Sequence, residues 1–165
     1  MYEIGDRVVY GIHGVCQILC QEEQRVDRKK VLYYVLEPLE KPGARFYVPA
    51  HNQVALSKLQ PVLDRQMLDA LLHSEAVRQD PWIEDENQRK LRYRELINTF
   101  DRAALIAMVV SLRRHREAQA AAGRKFHLSD DNFLRDAEKM LNGEFSLVLQ
   151  IPADQVQAYI LNALQ

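Results

Sequence analysis

The chain is short of the residues that staple, span or cradle. It holds two cysteines in 165 residues, Cys16 and Cys20, in a stretch that reads as a strand. Four strand residues separate them by about 13 Å, too far for a disulfide. Their even spacing predicts one shared face with Ile18, and so two buried core thiols. A metal site would need further ligands. His13 and His51 are the nearest, and neither makes a zinc-type spacing, so no metal or other cofactor is expected. No apolar run approaches the roughly 20 residues that span a bilayer. The opening Met1-Tyr2-Glu3-Ile4-Gly5-Asp6 lacks the basic-then-apolar order of a secretory leader, which predicts a cytoplasmic protein. There is no Gly-rich phosphate loop, no paired-carboxylate constellation and no nucleophile–base arrangement, and His115 and His127 stand isolated among polar neighbours. These absences argue against an enzyme.

What is present changes character near residue 60. Asp6–Gly11 and Gly14–Val26 read as strands joined by a tight turn at His13-Gly14. A polar hairpin tip, Val26-Asp27-Arg28-Lys29-Lys30, leads into a third strand, Val31–Glu37. Pro38 and Lys41-Pro42-Gly43 end it, Arg45–Val48 makes a fourth strand, and Val54–Leu59 supplies a fifth. Strands this short need closure to remove their exposed edges, so a small five-stranded barrel of the SH3 or Tudor kind is expected over residues 1–60.

Residues 61–165 read as about five helices, making the chain α+β. Asp64 caps a helix bearing Met67, Leu68, Leu71 and Leu72; His73 to Pro81 is a linker; a second helix runs from about Ile83 to Asn98. Asp101 caps a third, facing the core with Leu105, Met108, Val109 and Leu112, with Gly123 just past its end. Ser129-Asp130-Asp131 caps a fourth. Pro152 opens the last.

The net charge of −1 conceals segregation. Residues 61–87 carry −5, residues 88–126 carry +7 and residues 127–165 carry −4. The basic block holds Arg89, Lys90, Arg92, Arg94, Arg102, Arg113, Arg114, Arg116, Arg124 and Lys125. Such a block is a footprint of phosphate contact, and equally the solvated face of an ordinary helix.

Gly5-Asp6-x-Val8-Val9-Tyr10 with His13-Gly14, the strand Tyr33-Tyr34-Val35-Leu36, and Val48-Pro49 with Asn52 resemble the CarD/CdnL family of bacterial transcription regulators. Leu112-Arg113-Arg114, Leu128-Ser129 and Ala137-Glu138-x-x-Leu141 with Glu144 extend the resemblance into the helices. It implies a Tudor-like module, shared with the transcription-repair coupling factor, that binds the RNA polymerase β subunit. It also implies a helical domain that touches promoter DNA and stabilises the open complex. Two family arginines on the barrel fall at Gln24, with Arg25 beside it, and at Tyr47, with Arg45 two residues back. These four are the implied polymerase contacts. The family's minor-groove Trp falls near Glu86, whereas this chain has Trp82 four residues earlier, among Asp80, Glu84, Asp85 and Glu86. Trp82 therefore carries two readings: a wedge, or a side chain packing the linker against the bundle. The implied DNA ligands are Trp82 with Arg89, Lys90, Arg92 and Arg94, followed by Arg113, Arg114 and Arg116, in contacts largely blind to sequence. The competing reading is a protein-only adaptor whose helices bind a second protein. A monomer and a barrel-swapped dimer both stay open.

Overall fold

A computed structural model describes residues 2–165 and divides the chain into two compact units, one ending at Val62 and the other spanning Leu63–Gln165. The chain is α+β, a five-stranded sheet followed by helices.

In the first unit β1 (Arg7–Tyr10), β2 (Val15–Val26), β3 (Lys29–Pro38), β4 (Phe46–Pro49) and β5 (Leu59–Pro61) form one antiparallel sheet in the order β4-β3-β2-β1-β5. A 3-10 turn at Gly11–His13 joins β1 to β2. The tip between β2 and β3 is two residues long, with Asp27 and Arg28 both at positive φ (50° and 66°), the geometry that matches the twist of the flanking strands. Alternation along the strands puts Val8, Cys16, Ile18, Tyr34, Leu36, Val48 and Leu59 in one core. The ladder leaves β4 and β5 as outer strands. Among the described residues no β4–β5 pairing closes the ring.

Two expectations fail here for local reasons. The pairing of β2 with β3 slips between Ile18 and Cys20, so the even spacing of the cysteines no longer keeps them together. Cys16 is buried and Cys20 is exposed. The fifth strand starts later than Val54, because the Asn52 side chain accepts a hydrogen bond from the Ala55 amide (3.1 Å) and caps a helical turn, α1 (Gln53–Leu56). The strand that pairs with β1 begins at Leu59.

The second unit contains α2 (Arg65–Leu72), α3 (Glu86–Thr99), α4 (Arg102–Ala121), α5 (Leu128–Leu149) and α6 (Val156–Ala163). Asp64 and Asp101 cap α2 and α4 by accepting from the Met67 amide (2.7 Å) and the Ala104 amide (3.2 Å). Asp85 caps α3 in the same way through Gln88 (3.0 Å), so α3 starts after Ile83. Phe100 ends it in the left-handed region. The stretch expected as linker holds a 3-10 turn, Glu75–Arg78, anchored by buried Val77. Ser129-Asp130-Asp131 do not cap α5; they lie in its first turn, and Asp130 is buried. A second 3-10 turn, Ala153–Gln155, stands between Pro152 and α6. Leu105, Met108 and Leu112 of α4 and Leu134, Leu141 and Phe145 of α5 are fully buried at the centre of the unit. Glu144, wholly buried in α5, accepts from Arg102 Nε (2.6 Å) and Nη2 (2.7 Å) and from the Leu63 amide (3.0 Å). No helix among the described residues is long and apolar enough to cross a membrane.

The bulge makes a chemical prediction. Cys20 should take up a thiol reagent rapidly in the native protein. Cys16, buried and pushed up to about 11, should react only on unfolding. Mass spectrometry of the alkylated protein should show one fast adduct, and two fast adducts would contradict the burial of Cys16.

Candidate functional site

The charge segregation seen along the chain is largely a code for packing. Arg89 is 2% exposed, and its guanidinium forks onto Asp130 of α5 (Nε–Oδ1 2.9 Å, Nη2–Oδ2 2.8 Å). Arg102 binds Glu144, and Arg113 binds Glu138 (Nη2–Oε1 2.8 Å). Lys90 pairs with Glu86 (3.3 Å), Arg92 with Glu95 (3.4 Å) and, at long range, Arg114 with Asp80 (3.8 Å). The acids that neutralise this block thus come mostly from the two acidic blocks flanking it. Of the ten basic residues, Arg94, Arg116, Arg124 and Lys125 have no ionic partner among the described residues, and all four are exposed. The expectation that Arg89 is a phosphate ligand is overturned: its donors point inward, at a carboxylate and at the carbonyls of Ile83 (2.9 Å) and Glu84 (3.3 Å).

The same arginine determines the place of Trp82. Its guanidinium carbon lies 4.1 Å from the centre of the Trp82 ring, and the His115 ring stacks at 3.5 Å and 13°. The indole N–H donates to Glu84 (3.1 Å), the Trp82 amide donates to Asp80 (3.0 Å), and Ser111 donates to the same Asp80 oxygen (2.7 Å). Trp82 is therefore packed between α3 and α4, as the second of its two readings requires, and is partly buried. The Ser111 hydroxyl, foremost, holds Asp80 below the usual carboxylate range. Lys90 does the same for Glu86, and the bond to Asp130 raises Arg89 further. Burial lowers His115, against the opposing pull of Asp80.

On the sheet, strand parity separates residues that the sequence grouped. Gln24 opposes Val31, Val35 opposes Tyr47, and Arg45 lies two residues before Tyr47. Gln24, Arg45 and Tyr47 thus share the outer face, away from the core residues Tyr34, Leu36 and Val48. Arg25, opposite Lys30, turns to the other face. Tyr47 is 46% exposed and meets Tyr33 edge to face, with ring centres 6.3 Å apart. Arg45 is tied to Glu37 (2.5 Å), which draws the Glu37 carboxyl down together with the Gly43 amide, the larger influence.

Residues 2–62 match the family model of the CarD-like/TRCF RID domain. The N-terminal unit is a CarD-like domain. The whole chain is similar to a Bacillus subtilis (strain 168) protein named "Putative transcription factor YdeB", at 25% identity over 166 residues, covering 96% of this chain and 99% of that protein. The CarD-like domain contributes the sheet face of Gln24, Arg45 and Tyr47, and the helical unit contributes the Arg89–Trp82–His115 stack.

Sequence reasoning missed Asp130, Glu144, Glu138 and His115. A signal existed for the first. Arg89, Tyr93, Leu96 and Phe100 follow an i, i+4, i+7, i+11 spacing, which places the arginine on the buried stripe of α3 and demands a carboxylate opposite.

Two measurements follow from the stack. Asp130→Ala leaves a buried guanidinium unpaired and should cost about 3–5 kcal/mol of stability by denaturant titration. A loss below about 1 kcal/mol would show that Arg89 swings out to water. The pH dependence has a definite sign. The folded state binds a proton at His115 more weakly than the unfolded chain does. The stabilisation is therefore complete above the ordinary imidazole value of about 6.5 and is lost as pH falls through the lowered folded value. Fluorescence of Trp82, the single tryptophan, should titrate with a midpoint below about 6.5. His115→Phe should abolish that titration.

Proposed function

We propose that this protein is a CarD-like transcription regulator. Its N-terminal unit docks on the β subunit of bacterial RNA polymerase, and its helical unit faces the promoter DNA beside it. The observation that carries the reading is the match of the entire sheet unit to the CarD-like/TRCF RID family, supported by an end-to-end likeness to a protein named as a transcription factor. The docking surface is the outer face bearing Gln24, Arg45 and Tyr47. An aromatic that is half in water beside an arginine is the residue type that anchors protein interfaces. The helical unit meets the DNA backbone through Arg94, Arg116, Arg124 and Lys125. Contacts made only with melted DNA would lower the open complex relative to the closed one.

One set of observations favours the protein-only adaptor as a second reading. Trp82 is held inside the unit by Arg89 and His115, and most of the basic block is already neutralised. Four unpaired cations also limit how strongly DNA can be held. Each phosphate contact contributes about 0.9 to the slope of log affinity against log salt.

Binding of the purified protein to bacterial RNA polymerase, with and without a promoter fragment and across a salt series, tests both. The CarD-like reading expects binding strengthened by the promoter, with a DNA-dependent salt slope of about −4 or shallower. Binding indifferent to the promoter would leave the adaptor, and no binding would sink the polymerase assignment. Tyr47→Asp should weaken polymerase binding about tenfold or more by removing an interface anchor, while Arg25→Glu on the opposite face should change it little. The reverse pattern would move the docking surface.

A further inference from the structure

The register across β2, β3 and β4 sorts the outer face of the sheet into rows. Cys20 stands opposite Val35 and Val35 opposite Tyr47, so these three form one row across three strands. Glu22, Tyr33 and Pro49 form the next, followed by Gln24 with Val31. The slip after Ile18 is what brings Cys20 here; in unbroken register it would join Cys16 and Ile18 in the core. Val35 is buried, so the accessible part of the first row is the exposed Cys20 thiol and the Tyr47 ring. Tyr33, Pro49 and Val31 are half-buried. Charge is scarce. The three rows hold no cation, and their one carboxylate, Glu22, accepts from Gln24 Nε2 (3.4 Å). Arg45, two residues before Tyr47, is bound to Glu37.

We propose that the polymerase meets this face with an uncharged, largely apolar patch of its own, which closes over the Cys20–Val35–Tyr47 row and the Tyr33 ring. The inference rests on the polymerase-docking reading and deepens it, naming the chemistry of the surface that the β subunit must offer. The Tyr33 and Tyr47 rings, edge to face at 6.3 Å, give adjoining aromatic surface of the kind found at interface centres, where charged residues are depleted. A carboxylate of the partner brought onto these rows would lose water and find no uncommitted cation, and a cation would find only Glu22. Burying a charge without a counter-charge is costly, so an ionic patch is a poor occupant of the centre. Arg45 and Glu37 neutralise one another at the border and add no net charge to attract one. The bulge thereby has a consequence at the surface. It exchanges a core position for a small, soft side chain in the middle of an otherwise apolar docking face.

The test uses the full chain and bacterial RNA polymerase without DNA. The chain is alkylated with N-ethylmaleimide to the single adduct at Cys20, freed of reagent and titrated with polymerase. The adduct should weaken binding about tenfold or more while circular dichroism stays unchanged, and Cys20→Ser should show the same affinity before and after the treatment. For the unmodified protein, raising chloride about tenfold should lower affinity by less than about threefold, because apolar burial is not screened as ion pairs are. Undiminished binding by the adduct, or a salt-induced loss above about threefold, would overturn the apolar face and leave polymerase docking standing. Failure of the unmodified protein to bind polymerase would remove the docking reading and this inference with it.

Discussion

The helical unit depends on burying arginines, and therefore on placing a carboxylate opposite each one. A guanidinium taken out of water is tolerable only when its charge and its fork of donors are both met. Asp130 does this for Arg89, and Glu144 does it for Arg102 while also satisfying the Leu63 amide. Both acids sit on α5, while the two arginines sit on α3 and α4. The long helix thus acts as an acidic spine to which two others are tied at specific points. Apolar packing alone would allow α3 to slide or rotate. A bidentate pair does not, because any shift of an ångström or two breaks both hydrogen bonds at once.

This constraint reaches the surface through Trp82. The Arg89 guanidinium, met along its edge by Asp130, lies over the indole, and α4 contributes His115, stacked on the same ring. The placement of the segment between the 3-10 turn and α3 comes from Arg89 donating to two of its carbonyls and Ser111 donating to Asp80. One buried guanidinium thereby sets a helix pair, a loop and an aromatic side chain.

How much was legible follows from the period of each signal. The first four strands of the sheet, the caps at Asp64 and Asp101, and the α4 stripe announce themselves locally, and the structure agrees with them. A bulge does not announce itself: the pairing slip between Ile18 and Cys20 is decided by how β2 meets β3, so parity carried across it fails for Cys20. The capped turn at Asn52 was legible but competed with an apolar run that also reads as a strand. The charge block was legible as a block and not as pairs, because its partners stand 25 to 42 positions away for Arg89, Arg102 and Arg113. Segregation along the chain and neutrality in space are compatible whenever helices pack antiparallel or across one another.

The inverted pattern of α3 is therefore best understood from both of its faces. A helix whose inner stripe carries an arginine and whose outer stripe carries a leucine has little net amphipathicity, and packing explains only the inner half. Arg89 is inside because Asp130 receives it. Asn87, Arg94 and Asn98 lie outside as polar side chains ordinarily do. An exposed leucine alone is ordinary. By satisfying the buried charges internally, the acidic spine leaves the outer face of α3 out of the packing of the unit.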